Sequence, residues 1–338
     1  MNLFTSLRYL TALHEHKHFG RAADACHITQ PALSNAIRAL EEEFGTAIVK
    51  RGRAFECFTP EGERIFLSAQ RMLHEQETLL QEIKGSAAQP VGALTLGAVP
   101  SVMPIAARFA GYLQARYPKL SLTVRSMSSQ DIESGLENLS VDLGLGYTDR
   151  IKSRAARLTS VYQYNERYFL LRRAAKPCKA GLCVSRTPMS WQAAAALPLC
   201  LLTSEMHNRS IVDATFKEVG VQVCPVIETN SILTLGLTVL VGKVCSILPG
   251  ALVGVLRGYS ALEAVPLVEP DVQTHIGFML ATNDRPSHAL KAALDMARDP
   301  AWLNGLQAHV GSLRPEKAGD WPVCCQFETQ RDGVTGGD

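Results

Sequence analysis

The chain lacks an uninterrupted apolar run of the roughly 18–20 residues that a transmembrane helix needs. The nearest stretch, residues 232–256, is interrupted by Lys243, Pro249 and several glycines. The first ten residues also lack the charged segment, apolar core and cleavage site of an export signal. We therefore expect a cytoplasmic protein that has no membrane partner.

Excess charge of one sign is also missing. The 34 Lys and Arg residues nearly balance the 32 Asp and Glu residues, which leaves a net charge of +2. A nucleic-acid surface must then be local. One basic cluster meets this requirement, since Lys50, Arg51 and Arg53 lie within four positions.

Patterned cysteines and catalytic motifs are absent as well. The nine cysteines are odd in number and irregularly spaced, and Cys200, Cys224 and Cys245 lie in apolar runs, which favours free thiols. The sequence has no Gly-x-Ser-x-Gly, Walker or Cys-x-x-Cys motif. His14 and His18 share a helical face without a nearby cysteine or carboxylate cluster, which disfavours a metal site. We predict a protein that is not an enzyme and holds no cofactor or metal.

The length of 338 residues predicts two or three domains. Helices are predicted over residues 3–15, 21–26 and 30–44, and the third begins after Thr29, a good N-cap. Its buried stripe is Leu33, Ile37 and Leu40. The opposite side is polar without the usual Glu and Lys mixture, which suits DNA bases and phosphates. That side carries Gln30, Pro31, Ser34, Asn35 and Arg38. The bland alternative is an ordinary solvated helix.

Two predicted elements follow this helix. Residues 48–50 and 55–58 form short strands around a basic turn, and residues 60–84 form one long helix capped by Thr59. The long helix carries a heptad seam that a small domain cannot bury alone, so it is expected to pair with a second copy. The seam consists of Ala69, Met72, Gln76, Leu79 and Ile83.

From about residue 91 the pattern changes to alternating strands and helices, which predicts a parallel α/β sheet. Small polar residues follow several of these strands, where they favour a small anion as ligand. The candidates are Ser101, Ser128, Ser129, Thr203, Thr229 and Asn230. Simple helix capping explains the same residues. Residues 313–338 are predicted to be disordered.

The N-terminal pattern resembles the winged helix-turn-helix of the LysR-type transcriptional regulators. The matching residues are Phe19, Arg21, Ala22, Ala23, Gln30, Pro31, Ala32, Leu33, Ser34, Ile37, Leu40, Glu41, Phe44, Gly45, Arg51, Thr59, Pro60, Glu61 and Gly62. The resemblance places DNA contacts at Thr29, Gln30, Pro31, Ser34, Asn35, Arg38 and Arg53. Asn35 departs from the commoner Gln or Arg, which affects the expected base preference.

The resemblance implies a winged helix-turn-helix in residues 1–59 and a linker and dimerisation helix in 60–89. It further implies a two-lobed effector domain in 90–312, built like periplasmic binding proteins, with lobe I in 90–162 and 267–312 and lobe II in 163–266. A small effector would bind between the lobes, and Ser101 matches the effector-contact position. Double-stranded DNA, a homodimer or homotetramer and RNA polymerase are the implied partners.

There are three other interpretations, of which an enzyme acting in the cleft has no acid/base pair or nucleophile to support it. The chain could be a cytoplasmic solute-binding protein whose N-terminal domain only drives assembly. Alternatively it could sense peroxide, as one branch of the family does through a cysteine in the loop that corresponds to residues 204–209. That loop contains no cysteine here, and Cys200 lies earlier, in a predicted strand. Thiol sensing is therefore disfavoured.

Overall fold

The computed structural model describes residues 2–51, 55–86, 89–149, 157–179, 181–282 and 286–310. Arg53 and the predicted disordered tail lie outside these residues, and only the backbone of Arg51 is described. None of the helices in the described part is both long and apolar enough to cross a membrane.

Three helices and a hairpin form the N-terminal module. They are α1 (Leu3–His16), α2 (Phe19–Ala25), α3 (Gln30–Phe44), β1 (Val49–Arg51) and β2 (Phe55–Phe58). Leucines of α1 and the apolar stripe of α3 meet in a shared core with Phe66 from the next helix. The second helix begins at Phe19, two residues earlier than predicted. His18 caps it, since its imidazole accepts a hydrogen bond from the backbone N–H of Arg21.

Local capping fixes the limits of α3. The Thr29 hydroxyl accepts a hydrogen bond from the N–H of Ala32, and Gly45 takes the left-handed conformation (φ 62°) that ends the helix. Glu41 Oε1 accepts hydrogen bonds from the N–H groups of Ile48 and Val49. The first strand of the hairpin is thereby tied to α3.

A single helix of 25 residues, α4 (Pro60–Lys84), follows the hairpin within the predicted limits. Thr59 caps it, because its hydroxyl accepts a 2.8 Å hydrogen bond from the N–H of Gly62. Gly62 packs so closely on the carbonyl of Ile48 that a Cβ atom there would overlap it. The first turn of α4 is therefore held against the hairpin.

The predicted dimerisation seam on α4 needs one correction. Ala69 is buried in the core of its own N-terminal module, with 1% of its surface exposed. Gln76 accepts a hydrogen bond from the guanidinium of Arg8. Met72, Leu79 and Ile83 are 44%, 55% and 73% exposed. Within the predicted seam, the apolar residues that remain exposed in one chain are thus these three.

The remainder of the described chain forms two α/β lobes. Lobe I is built mainly from β3 (Gly92–Ala98), α5 (Met103–Arg116), β4 (Leu120–Ser126), α6 (Ser129–Glu137), β5 (Leu143–Tyr147), β13 (Gln273–Ala281), α11 (His288–Ala297) and α12 (Pro300–Val310). Lobe II contains β7 (Cys183–Val184), β8 (Met189–Ser190), α7 (Trp191–Ala195), β9 (Leu199–Leu202), α8 (His207–Glu218), β10 (Ile227–Thr229), α9 (Ile232–Val241), β11 (Cys245–Pro249), α10 (Gly250–Val255) and β12 (Leu262–Val268).

One 16-residue strand, β6 (Leu158–Arg173), belongs to both lobes. Residues 158–167 pair with β13 of lobe I, and residues 168–173 pair with β11 and β12 of lobe II. The main sheet runs in the order β10-β9-β11-β6-β13-β5-β3-β4. Strands β3, β4 and β5 are parallel to one another, as are β9, β10 and β11. The predicted two-lobed α/β architecture is confirmed.

The last two helices of lobe I are separated by a short break, since Arg298 ends α11 and Pro300 begins α12. Proline has no N–H to continue the ladder and disfavours the helical conformation of the residue before it.

The long helix α4 also contacts lobe I. The side-chain amide of Gln81 donates a 3.2 Å hydrogen bond to the carbonyl of Ala93. Gly92, with φ 129°, lies directly against the Gln81 side chain, where a Cβ atom would overlap it. His74 lies 3.6 Å from Asp142. These contacts connect the helix that leaves the N-terminal module with the start of the α/β region.

Candidate DNA-binding surface and effector cavity

The helix α3 has two sharply different faces. Leu33, Ile37 and Leu40 are completely buried against α1 and α2. The other face brings together most of the predicted DNA contacts, all exposed except Ser34, which is half-buried: Thr29, Gln30, Pro31, Ser34, Asn35 and Arg38. A helix with such a free polar face fits the major groove, where amide and guanidinium groups reach base edges.

The basic hairpin lies next in the chain. Lys50 is exposed on β1. The predicted contacts of Arg51 and Arg53 fall on side chains outside the described residues, so their orientation relative to α3 stays a prediction.

A cavity of about 250 Å³ opens between the two lobes. Lobe I contributes the ends of β3, β4 and β5, and lobe II contributes the end of β9 and the start of α8. The lining residues are Val99, Pro100, Ser101, Ser128, Ser129, Gln130, Tyr147, Leu202, Glu205, Met206, His207, Asn208 and Ser210. The cavity thus lies at the carboxyl ends of the parallel strands, where open α/β sheets bind ligands.

Ser101 lies at the floor of this cavity. It is 97% buried, and its hydroxyl lies 3.0 Å from the hydroxyl of Tyr147. The side-chain amide of Asn208 donates hydrogen bonds to the hydroxyls of Tyr147 (3.3 Å) and Tyr168 (3.4 Å). Burial raises the pKa of Tyr147, so its phenol is neutral at physiological pH. This chain of hydrogen bonds crosses from lobe I to lobe II.

The two other predicted serines of lobe I differ from each other. The Ser128 hydroxyl accepts a hydrogen bond from the N–H of Asp131 and donates one of 2.7 Å to the Asp131 carboxylate, so it caps α6. The Ser129 hydroxyl is buried and has no hydrogen-bond partner among the described residues. Ser129 is therefore the better candidate for a ligand contact.

The predicted ligand residues of lobe II need correction. Thr203, Thr229 and Asn230 are absent from the described lining of the cavity. The hydroxyl of Thr203 donates to Glu205 (2.6 Å), and the hydroxyl of Thr229 accepts from the N–H of Ser231 (3.1 Å). Both hydroxyls are thus taken up by hydrogen bonds to residues two positions further along the chain. The cavity is instead completed by residues that the sequence did not single out, chiefly Glu205, His207 and Asn208.

Glu205 contributes a negative charge to the lining of the cavity. A hydrogen bond from Thr203 lowers the pKa of Glu205, which is ionised at neutral pH. The described lining contains no lysine or arginine. A small anion, the ligand predicted from the sequence, would meet a carboxylate without a permanent cation to offset it.

A second buried network lies along β6, where this strand passes between the lobes. Glu166 is 99% buried, and its carboxyl group contacts the Tyr164 hydroxyl at 3.0 Å and the N–H of Ala251 at 3.3 Å. Burial raises the pKa of Glu166 to about 8. Gln163 donates a hydrogen bond to the carbonyl of Ala297 and accepts one from the indole of Trp302. The shared strand is thereby anchored to α10, α11 and α12.

His14, His18 and Cys200 each pack or cap within their own part of the structure. His14 stacks on Phe66 with ring centroids 3.6 Å apart, and His18 caps α2. No cluster of potential metal ligands occurs in the part of the chain that the structure describes. Cys200 is buried within β9, and burial raises the pKa of its thiol.

Comparison with known families gives two matches. Residues 4–63 match the bacterial regulatory helix-turn-helix protein model of the lysR family, and residues 87–301 match the LysR substrate binding domain model. The two matched regions correspond to the N-terminal module and to the two lobes.

Curated relatives align with part of the chain. The DNA-binding transcriptional dual regulator OxyR of Escherichia coli K12 is 33% identical over 137 residues, which are 40% of this chain and 45% of the relative. A probable hydrogen peroxide-inducible genes activator of Streptomyces viridosporus is 36% identical over 138 residues, or 40% and 44% of the two chains. The aligned parts span less than half the length of these relatives.

Solved structures share the whole fold. A variant of full-length OxyR from Pseudomonas aeruginosa has a TM-score of 0.64 and 23% identity, and the alignment covers 86% of this chain and 96% of that one. Full-length CbnR in complex with its target DNA has a TM-score of 0.62 and 18% identity, with coverage of 87% and 98%. Because one family model covers more than half of the sequence and the helix-turn-helix model covers its N-terminal module, the chain belongs to the LysR family of bacterial regulatory helix-turn-helix proteins.

Proposed function

We propose that the protein is a sequence-specific DNA-binding transcriptional regulator that responds to a small effector. The observation that carries this proposal is the division of α3 into a fully buried apolar face and a free polar face. A helix that is packed on one side and free on the other can enter the major groove without unfolding any part of its own core.

The chemistry of the free face supports a role for each residue. Gln30 and Asn35 can bond to adenine edges, and Arg38 to guanine or to a phosphate. Ser34 and the capped start of α3 suit a phosphate oxygen. Arg51 and Arg53, which come next in the sequence, would add affinity that depends on salt.

The exposed stripe of α4 supports self-association. Met72, Leu79 and Ile83 are separated by seven and four residues, the spacing of a coiled-coil seam. Pairing of two α4 helices would hide this apolar surface and hold two copies of α3 for successive major grooves. We propose a homodimer formed in this way, and a homotetramer as a dimer of dimers.

The inter-lobe cavity supports the response to an effector. A ligand there touches both ends of the Ser101, Tyr147 and Asn208 chain, so it acts on the spacing of the lobes. The contacts of His74 and Gln81 with lobe I provide a physical connection to α4. A ligand shifts DNA binding only if it prefers one arrangement of the lobes over another.

The functions proposed for the domains follow the domain limits predicted from the sequence. Residues 1–59 bind DNA, residues 60–89 form the linker and dimerisation helix, and residues 90–312 form the effector domain. Within that domain, lobe I takes residues 90–162 and 267–312, and lobe II takes residues 163–266. RNA polymerase is a further proposed partner, the cytoplasm is the proposed compartment, and no catalytic role is proposed.

Peroxide sensing by a thiol receives little support in this chain, although several curated relatives are named as activators of hydrogen peroxide-inducible genes. A sensing cysteine needs an accessible thiolate. Cys200 is buried with a raised thiol pKa, and the loop of residues 204–209 contains no cysteine. A small-molecule effector is the better-supported signal.

The test is binding of the full chain to the promoter DNA beside its own gene, measured by gel shift against a scrambled fragment. Gln30→Ala, and Arg38→Ala if its guanidinium reads guanine, are expected to reduce the preference for the promoter. Glu43→Ala, an exposed position on another side of α3, is the matched control and should retain it. Equal binding of both fragments by the unmodified chain would favour the solute-binding alternative. Unchanged preference in both alanine variants would refute the assignment of the face.

A further inference from the structure

We propose that the effector carries a protonated amine and no net negative charge, and that the carboxylate of Glu205 receives the ammonium group. This inference rests on the proposed function, in that it takes the inter-lobe cavity as the effector site. It replaces the small anion that strand-end serines and threonines suggest from the sequence.

The first argument is the inventory of charge. Among the described residues that line the cavity, Glu205 is the one carboxylate and is exposed to solvent, lysine and arginine are missing, and His207 is the one side chain that can become cationic. Glu205 Oε1 accepts a 2.6 Å hydrogen bond from the Thr203 hydroxyl. A carboxylate has about four acceptor positions, so Glu205 keeps the capacity to bind a cationic donor.

The second argument concerns the helices that begin at the cavity. Helix N-termini attract anions, and both α6 and α8 start at the lining. Each already has a carboxylate of its own. Asp131 lies in the first turn of α6, and Glu205 lies two residues before the start of α8. These carboxylates offset the partial positive charge at the N-termini of α6 and α8, which would otherwise attract an anion.

The third argument is the size and character of the remaining lining. The cavity of about 250 Å³ lies just below the range of roughly 300–1,000 Å³ for drug-sized ligands. Val99, Pro100, Leu202 and Met206 offer an apolar surface for a short alkyl chain. The unpartnered Ser129 hydroxyl and the neighbouring Gln130 amide can bind an uncharged polar group. A short aliphatic amine fits the volume and the apolar surface of this lining.

The experiment compares three probes of equal length, namely butylammonium, butyrate and 1-butanol, added to the full-length protein without DNA. At about 10 mM, butylammonium should raise the thermal midpoint by about 2–4 °C, and butyrate should not. Isothermal titration calorimetry checks the same ranking directly. Glu205→Gln should remove the amine effect, whereas Glu218→Gln, an exposed carboxylate at the far end of α8, should retain it.

Three outcomes would overturn the proposal. These are stabilisation by butyrate equal to that by butylammonium, an amine effect that survives Glu205→Gln, and the absence of any effect of butylammonium. Because the measurement contains no DNA, its failure leaves the DNA-binding proposal standing. Conversely, failure of the promoter experiment leaves the ligand measurement interpretable.

Discussion

His74 on α4 lies 3.6 Å from the carboxylate of Asp142 at the start of β5. The same carboxylate accepts a 2.6 Å hydrogen bond from the backbone N–H of Thr95 on β3. Asp142 therefore satisfies a strand N–H and also contacts the helix that leads to the N-terminal module. The two roles can be separated by substitution.

Asp142→Ala should lower the free energy of unfolding by about 1–3 kcal/mol, because it leaves the N–H of Thr95 without its acceptor. Asp142→Asn keeps an acceptor oxygen and removes only the charge that faces His74. It should cost well under half as much, because the hydrogen bond to Thr95 is kept and the contact with His74 is an ion pair only when the imidazole is protonated. Urea unfolding of both variants measures the difference. Equal losses would mean that the charge, and not the hydrogen bond to Thr95, is the important part.

Substitutions along α4 should separate assembly from folding. Ile83→Glu and Leu79→Glu place charge on the exposed apolar stripe, so light scattering after gel filtration should show dissociation to a monomer that keeps its helical content. Ala69→Leu should act differently. It overpacks the core of the N-terminal module at a cost of about 1–3 kcal/mol while the oligomer persists.

Glu82→Gln is the matched control for the dissociation, because Glu82 is exposed on the same turn of α4. If Ile83→Glu and Leu79→Glu leave the molar mass of the complex unchanged, then α4 does not form the interface.

The stability of the protein should fall as the pH rises through the neutral range, in part because of Glu166. Burial raises the pKa of its carboxyl from 4.5 to about 8. Between these values the folded chain binds more protons than the unfolded chain, so the free energy of unfolding decreases with increasing pH. The contribution is fully present below pH 4.5 and is lost as the pH passes 8.

Glu166→Gln removes this titration while it keeps an acceptor for the N–H of Ala251 and a donor toward Tyr164. Its unfolding free energy should decline less steeply between about pH 5.5 and pH 8 than that of the unmodified chain. Urea unfolding at several pH values supplies the comparison, with Glu218→Gln as the exposed control. Parallel pH profiles for all three chains would show that Glu166 titrates normally.

The salt dependence of DNA binding should distinguish phosphate contacts from base contacts. If Arg38 neutralises a phosphate, Arg38→Ala reduces the slope of log affinity against log salt by about 1. Gln30→Ala should leave that slope unchanged and reduce the preference for the promoter, because an amide releases no counterion. Fluorescence anisotropy titrations at several salt concentrations measure both quantities. An unchanged slope in Arg38→Ala would place its guanidinium away from the backbone of the DNA.

The sequence predicted the elements whose ends are marked by local chemistry. The limits of α3 and α4 follow from Thr29, Thr59 and Gly45, whose capping preferences act over three or four residues. The division of α3 into two faces follows from helical periodicity in the same local way. These features need no knowledge of the rest of the chain.

The errors concern properties that depend on tertiary contacts. A heptad pattern marks Ala69 and Ile83 alike, and only the packing of α1 shows that the first is buried within its own module. Likewise Thr203 and Thr229 end strands just as Ser101 does, yet their hydroxyls are taken up by local contacts. Glu205 and Asn208 lie within the loop expected at residues 204–209, and no local signal distinguishes them from solvated polar residues.

The shared strand β6 restricts how the lobes can rearrange. Its backbone continues without a break from pairing with β13 to pairing with β11 and β12, and the register with β13 shifts at Gln163. A hinge with a loop would permit many directions of opening, whereas a continuous ladder permits mainly twisting and shearing about its own axis. Ligands of different shape in the cavity would accordingly move the lobes by different amounts in the same direction. The response of the domain to ligands would then vary in size and not in kind.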